Sequence, residues 1–334
     1  MNDPVAPTAT AIPYLAYGSN LASSTFRGRR QIKPLSAHVV YVPSLKLVFD
    51  LPGIPYLEPR FANVAVVDEE GVEVVSTGDA KVDETKPLLD TPTKEKTLAE
   101  LKEDDNVSAE GTKGLYGVVY YVTPEDYAKI VATEGGGTSY ADVMVDCVVL
   151  PKSELAPSEA KVDATDPANP DFHEGEKIII KAHTLLAPKS KTRQVTPQGH
   201  PSPRYLGLLT SGAAEHSMPT VWQNYLQKLP TYTATTFRQK AGRVLFMAVW
   251  MPMFMTFFTI GRLVTDKEGR APKWWGAIMN GIFKAVWGTY DSGFRQVFGE
   301  GERGTGHYDE KVAGWGEDDV ERVEEVVEGG HGGQ

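Results

Sequence analysis

Short apolar runs with period-two alternation fill the first two-thirds of the chain, and a nearly unbroken apolar run follows in the last third. Residues 12–17, 37–42, 45–50 and 61–67 read as strands separated by Pro, Gly and Ser turns, with 72–76 extending the last as a hairpin. Residues 77–113 are rich in Asp, Glu, Lys, Thr and Pro, a composition that predicts a disordered or loosely held insertion. Residues 115–122 form a strong strand pattern. Thr123-Pro124-Glu125-Asp126 then gives a capping hydroxyl, a proline at the first helical position and acids in the first turn, so a helix is expected up to about Glu134, stopped by Gly135. Strands are expected at 143–150 and 177–186, separated by a polar loop over 151–176. Pro219 opens a helix that places Trp222, Tyr225, Leu226 and Leu229 on one face. Residues 12–232 thus read as one α+β domain with mostly antiparallel strands, preceded by a flexible N-terminus, residues 1–11.

Residues 244–260 (VLFMAVWMPMFMTFFTI) carry no charge and are flanked by Arg243 and Arg262. As a helix they span roughly 25 Å, slightly under a hydrocarbon core of about 30 Å, with Pro252 near the middle. Trp274-Trp275 opens a second apolar segment that reaches Trp287. Residues 233–298 are therefore an apolar helical extension open to two readings: a buried core helix, or membrane association through residues 244–290 with Trp274 and Trp275 at the interface. Residues 299–334 are glycine-rich and acidic and read as a solvated tail.

Composition narrows the chemistry. The net charge of −10 over 334 residues excludes the basic face expected of a nucleic-acid binder. The single cysteine, Cys147, lies in an apolar run and reads as a core thiol in a reducing, cytoplasmic compartment. Residues 1–10 lack the charge and apolar pattern of a secretory signal. His173, His183 and His200 show no metal-ligand spacing, and neither a dinucleotide, P-loop nor G-x-S-x-G motif is present. No metal or organic cofactor is expected.

Two features carry candidate chemistry. In Tyr14-Leu-Ala-Tyr17-Gly18-Ser19-Asn20-Leu21 a strand runs into a Gly-Ser-Asn turn. Such a turn either satisfies its own backbone or aims N–H groups and polar side chains at a carboxylate or oxyanion. Downstream, Glu134 precedes Gly135-Gly136-Gly137 and Tyr140. Glutamate at a helix end is ordinarily solvated. The negative end of the helix dipole, with any burial, would raise its pKa into the range of a general acid–base. Tyr17, Tyr140 and Tyr205 are candidate hydrogen-bond donors to a bound carboxylate, or core tyrosines.

In these residues the chain resembles the γ-glutamylcyclotransferases, particularly a branch with longer fungal members. The matching pieces are Tyr17-Gly-Ser-Asn-Leu21, Leu51-Pro-Gly-Ile-Pro-Tyr56 with Phe61-Ala-Asn63, Tyr116-Gly-Val-Val-Tyr120 through Glu134-Gly-Gly-Gly137 and Tyr140, and Pro201-Ser-Pro-Arg-Tyr-Leu206 with Gly212-Ala and the Pro219 helix. They occur in the family's order over about residues 12–232. The resemblance implies a small mixed-strand, mostly antiparallel β-barrel packed with helices. It also implies a lyase in which a γ-glutamyl compound closes on itself, releasing 5-oxoproline and an amine. Glu134 corresponds to the family's catalytic glutamate. Tyr17, Gly18, Ser19, Asn20 and Leu21 correspond to its substrate loop, and Tyr140 and Tyr205 to its pocket tyrosines. The rival reading is a membrane-tethered ligand-binding or scaffolding module of the same fold without catalysis.

Overall fold

The computed structural model describes residues 11–67, 114–133, 140–151, 155–156, 178–195, 197–264 and 272–304. The expected hairpin extension at 72–76, the insertion 77–113, most of the loop 151–176 and Glu134 with its three glycines lie outside the described residues.

Five strands close into a barrel in the order β1 (Ile12–Ala16), β5 (Leu115–Val122), β2 (Ser36–Val42), β6 (Ala141–Val149) and β7 (Ile179–Leu186). All pairs are antiparallel except β1 with β7, which are parallel and share one register pair, Tyr14 with His183. Side chains complete that seam: the Thr184 hydroxyl donates to the Leu15 carbonyl at 3.1 Å, and the Tyr17 hydroxyl to the Leu185 carbonyl at 2.6 Å. Leu15, Val40, Val119, Cys147 and Ala182 are fully buried in the main core. Burial pushes the Cys147 thiol up to about 12, so it packs as an unreactive apolar group.

The remaining strands, β3 (Leu45–Ile54) and β4 (Glu58–Val66), form a separate two-stranded hairpin. β3 runs past the expected end at residue 50, and a register shift between Val48 and Leu51 carries the pairing through Pro52. Asn63 fastens this hairpin to the barrel. Its side-chain oxygen accepts from the Ala187 N–H at 3.0 Å, and its amide donates to Asp50 Oδ1 at 2.9 Å.

The helices are α1 (Pro124–Thr133), α2 (Pro203–Glu215), α3 (Thr220–Lys228), α4 (Phe237–Val264) and α5 (Lys273–Thr289); after a π-helical turn (Tyr290–Phe294), α5 continues into α6 (Arg295–Phe298). The helix α2 has no counterpart in the expected elements, although Ser202-Pro203 is a sound start signal. The Ser202 hydroxyl accepts the Tyr205 N–H at 3.0 Å, and Pro203 fills the first turn.

The C-terminal helices are rooted in a second apolar cluster in which Phe246, Trp250, Val286, Trp287 and Tyr290 surround Tyr56 and Tyr232. Tyr56 stands at the tip of the β3–β4 hairpin with φ of 66°. That left-handed conformation costs a non-glycine residue roughly 1–2 kcal/mol. It is offset by bonds from the Tyr56 N–H to the Gly301 carbonyl at 2.7 Å and from its hydroxyl to the Gly299 carbonyl at 2.8 Å. Residues 299–304, expected as the start of a solvated tail, are thus part of the packed structure. Glu302 is fully buried between two guanidinium groups. Arg60 donates to Glu302 Oε2 at 2.5 Å, and Arg193 donates to both carboxylate oxygens, at 3.1 and 3.0 Å. Burial alone would raise the Glu302 pKa; the hydrogen bonds from Arg193 and the charge of Arg60 overcome it and hold the carboxyl below its ordinary 4.5.

Removing this carboxylate leaves Arg60 buried without its counter-charge. Glu302→Ala is expected to destabilise the fold by about 3–5 kcal/mol in denaturant melts. Because the folded-state pKa is depressed, the carboxylate's contribution is complete above the ordinary value of 4.5 and is lost as the pH falls through the folded-state value. Wild-type stability should therefore drop more steeply than that of the variant below about pH 4.5.

Candidate active site

The C-terminal ends of β1 and β7 and the N-terminal ends of β5 and β6 lie at one mouth of the barrel. The Gly-Ser-Asn turn crosses this mouth as a single 3₁₀ turn, Ser19–Leu21, with Gly18 at its N-cap. The opening amides of such a turn find no acceptor within the turn itself. Gly18 and Ser19 are half-buried, whereas Asn20 and Leu21 are buried. Asn20 was expected to face a ligand, but its side-chain amide points inward and donates to the Tyr14 hydroxyl at 2.9 Å. Leu21 belongs to the core. Within the expected loop Gly18 and Ser19 are the residues that keep partial exposure.

Helix α2 is the shelf beneath this turn. It starts beside the β3–β4 hairpin, where Arg204 makes two 2.8 Å bonds to Glu58 and the Ser202 hydroxyl donates to Glu58 at 2.7 Å. One turn on, the Tyr205 hydroxyl accepts the Ala62 N–H at 3.2 Å. A methyl group placed on Gly18 would lie 3.3 Å from that hydroxyl and 3.7 Å from the Ala62 side chain. Further along, Gly212 meets the turn's backbone so closely that a Cβ there would lie 2.4 Å from the Leu21 carbonyl carbon. At its end, Glu215 accepts the Ser23 N–H at 2.8 Å. His216 bonds the Tyr120 hydroxyl at 2.7 Å, and its ring also bonds the Leu21 backbone. Burial lowers the His216 pKa, which favours a neutral ring serving both neighbours as one donor and one acceptor.

The structure therefore brings Tyr17, Gly18, Ser19 and Tyr205 together, with Asn20 and Leu21 anchoring the turn from below. Tyr140 packs at the start of β6, where the next residue, Ala141, pairs with Leu186, the neighbour of the Leu185 that takes the Tyr17 hydroxyl. It thus stands at the same mouth. Glu134 follows Thr133, the last residue of α1. That helix is held on the barrel by Tyr127, whose hydroxyl donates to Asp142 Oδ2 at 2.6 Å while His183 Nδ1 bonds Asp142 Oδ1 at 2.9 Å. Burial and the adjacent Asp142 carboxylate raise the Tyr127 pKa, so the phenol remains a donor.

Gly212, His216, Tyr120 and Asn63 were not read as site-forming from the residues alone. Gly212, Tyr120 and Asn63 sit inside the quoted family pieces; His216 has no local signal. Among the described residues no group of three His, Cys, Asp or Glu side chains could hold a metal ion.

The closed barrel thus carries a helix-supported turn at its mouth. A family model described as the AclK C-terminal domain matches residues 236–297. The chain is similar to Gamma-glutamyl cyclotransferase gliK of Aspergillus fumigatus, 32% identical over 301 residues that cover 90% of this chain and 92% of that protein. It is 27% identical to Gamma-glutamyl cyclotransferase aclK of Aspergillus oryzae, over 86% of this chain and 89% of the relative. A solved gamma-glutamyl cyclotransferase aligns at 16% identity with 69% of this chain and 96% of its own, with a TM-score of 0.38. The chain belongs to the gamma-glutamyl cyclotransferase family.

Gly212→Val should force the shelf off the turn. The expected outcome is a loss of about 1–3 kcal/mol in a thermal melt, together with faster amide exchange in residues 18–22 than in β5.

Proposed function

We propose that the protein closes γ-glutamyl compounds on themselves, releasing 5-oxoproline and a free amine or amino acid. Family membership supports the reaction class. The observation that supports its location is the juxtaposition of Gly18 with the Tyr205 hydroxyl at the barrel mouth.

The substrate's own α-amine is the nucleophile, and it arrives as an ammonium. Glu134 takes its proton. The nitrogen then forms a bond to the γ-carbonyl carbon, whose oxygen becomes an oxyanion. The opening amides of the Ser19–Leu21 turn and the Ser19 hydroxyl receive that charge, each well-placed donor contributing roughly 3–4 kcal/mol. The carbon–nitrogen bond to the departing amine breaks as Glu134 returns the proton to the leaving nitrogen; the ring nitrogen, which still carries two hydrogens, gives its surplus proton to the released amine, so a neutral lactam and an ammonium depart. Atoms and charge balance without a redox step or co-reactant. Curling the substrate so that amine and carbonyl lie in contact supplies proximity, the part that Tyr140 and Tyr205 serve by gripping the polar ends, while Tyr17, its hydroxyl hydrogen given to the Leu185 carbonyl, holds the mouth in shape.

The test is the full chain incubated with γ-glutamyl amino acids, γ-glutamyl amines and glutathione, with 5-oxoproline read by mass spectrometry. Turnover of at least one is expected. Glu134→Gln should lower it by about 10²–10⁴-fold, the span of a lost general acid–base, with an unchanged circular dichroism spectrum. Ser19→Ala should cost roughly tenfold or more in kcat/KM. Undiminished 5-oxoproline release by Glu134→Gln would remove the proposed proton carrier.

A further inference from the structure

The C-terminal helices bury one face and expose another that is equally apolar. In α4 the inward stripe is Phe246, Trp250, Phe254, Phe257 and Gly261, at helical spacing. The outward positions between Arg243 and Arg262 carry no charge, and Val244, Leu245 and Val249 are 67%, 49% and 58% exposed. Two threonines on this outer side turn their hydroxyls back onto the helix: Thr256 donates to the Pro252 carbonyl at 2.8 Å and Thr259 to the Met255 carbonyl at 2.7 Å. Those two hydroxyls are thus engaged, and the threonines offer their methyl groups to the face. Beside it, Trp275 of α5 stacks on Phe257 at 3.9 Å, and Trp274 and Ile278 remain exposed.

The charge on these helices is one-sided. α4 carries Arg238, Lys240, Arg243 and Arg262, α5 carries Lys273 and Lys284, and neither contains an acid, although the whole chain is −10. An apolar face on helices whose only charges are cations matches an anionic lipid surface. It does not match a second copy of itself, which would set cations against cations. Lengths then decide between lying on the bilayer and crossing it. The uncharged part of α4, residues 244–261, measures about 27 Å, but that of α5, residues 274–283, only about 15 Å before exposed Lys284. A returning helix so short cannot recross a core of about 30 Å.

We infer that the α4–α5 pair is a peripheral membrane-binding surface, lying flat on an anionic bilayer with the Val244–Val249 side of α4 among the acyl chains and the lysines and arginines at the headgroups. The family assignment and the catalytic reading do not enter this inference.

The experiment is flotation of the full chain with phosphatidylcholine vesicles, with and without phosphatidylserine. Co-flotation is expected only with phosphatidylserine, weakened by high salt. Val249→Glu with Met253→Glu should reduce the bound fraction by roughly tenfold or more while 5-oxoproline release in solution is unchanged. Lys240→Glu with Lys284→Glu, which leave the apolar face intact, should also release the protein from phosphatidylserine vesicles. Failure of the wild type to float, or undiminished flotation of both variants, overturns the inference. Resistance of bound protein to alkaline carbonate would overturn it in favour of a span, and a dimer in sedimentation that Val249→Glu dissociates would reassign the face to self-association.

Discussion

The buried contact between Glu302 and the guanidinium groups of Arg60 and Arg193 is the constraint on which the rest of the molecule hangs. An ion taken from water into a protein interior costs several kcal/mol, so neither Arg60 nor Glu302 would be placed there singly. Together, with Arg193 completing a fork around both carboxylate oxygens, they give each buried charge its counter-charge, although the Arg60 Nε–H has no hydrogen-bond partner among the described residues. Arg193 in turn pairs with Asp291 at 2.6 and 2.8 Å and lies 4.2 Å from the Trp287 ring. The cluster joins three distant stretches: strand β4, the segment before α2, and the end of the C-terminal helices. Its consequence reaches the barrel mouth, because β4 continues from Arg60 into Ala62 and Asn63. The first binds the Tyr205 hydroxyl and the second the end of β7. The wall of the candidate site opposite the Gly18 turn is thus held from behind by a glutamate 242 residues along the chain from its arginine.

This explains which parts of the fold were legible in the sequence. Strand β5 was read at its observed bounds because its alternation and the Thr123-Pro124 helix start are local signals. The remaining barrel strands were readable for the same reason, and the barrel itself came from the ordered family pieces. Glu302 was not readable. Its neighbourhood is glycine-rich and acidic, and nothing nearby marks a glutamate whose partners are Arg60 and Arg193. Local composition favours solvent; only the tertiary pairing overrides it. Helix α2 shows a different failure, since Ser202-Pro203 announced it locally and the run Gly207–Glu215 contains too many small residues to display a clean apolar stripe.

The site was legible as a set of positions and less so as a set of roles. Gly18, Ser19 and Tyr205 do converge. Asn20 was read with Ser19 as part of the substrate loop, yet its side-chain amide donates to the Tyr14 hydroxyl at 2.9 Å and its own carbonyl oxygen lies 3.5 Å from the Tyr120 hydroxyl. Sequence shows that a side chain can donate; it does not show on which side of a tight turn the donor emerges. His216 makes the same point in reverse, for a histidine outside any motif carries the turn through Tyr120 and Leu21.

The helical extension draws these threads together. A helix that is apolar all round is expected either wholly buried or in lipid, and α4 satisfies neither condition alone. Its inner stripe does the work of a core helix, seating Tyr56 and thereby the β3–β4 hairpin. Among the described residues its outer side is left exposed. Because both sides are apolar, period-based reading could not separate a face that is buried from one that is exposed. The same rod that fixes the back wall of the site presents the uncharged surface, so whatever covers that surface rests directly against the foundation of the barrel mouth.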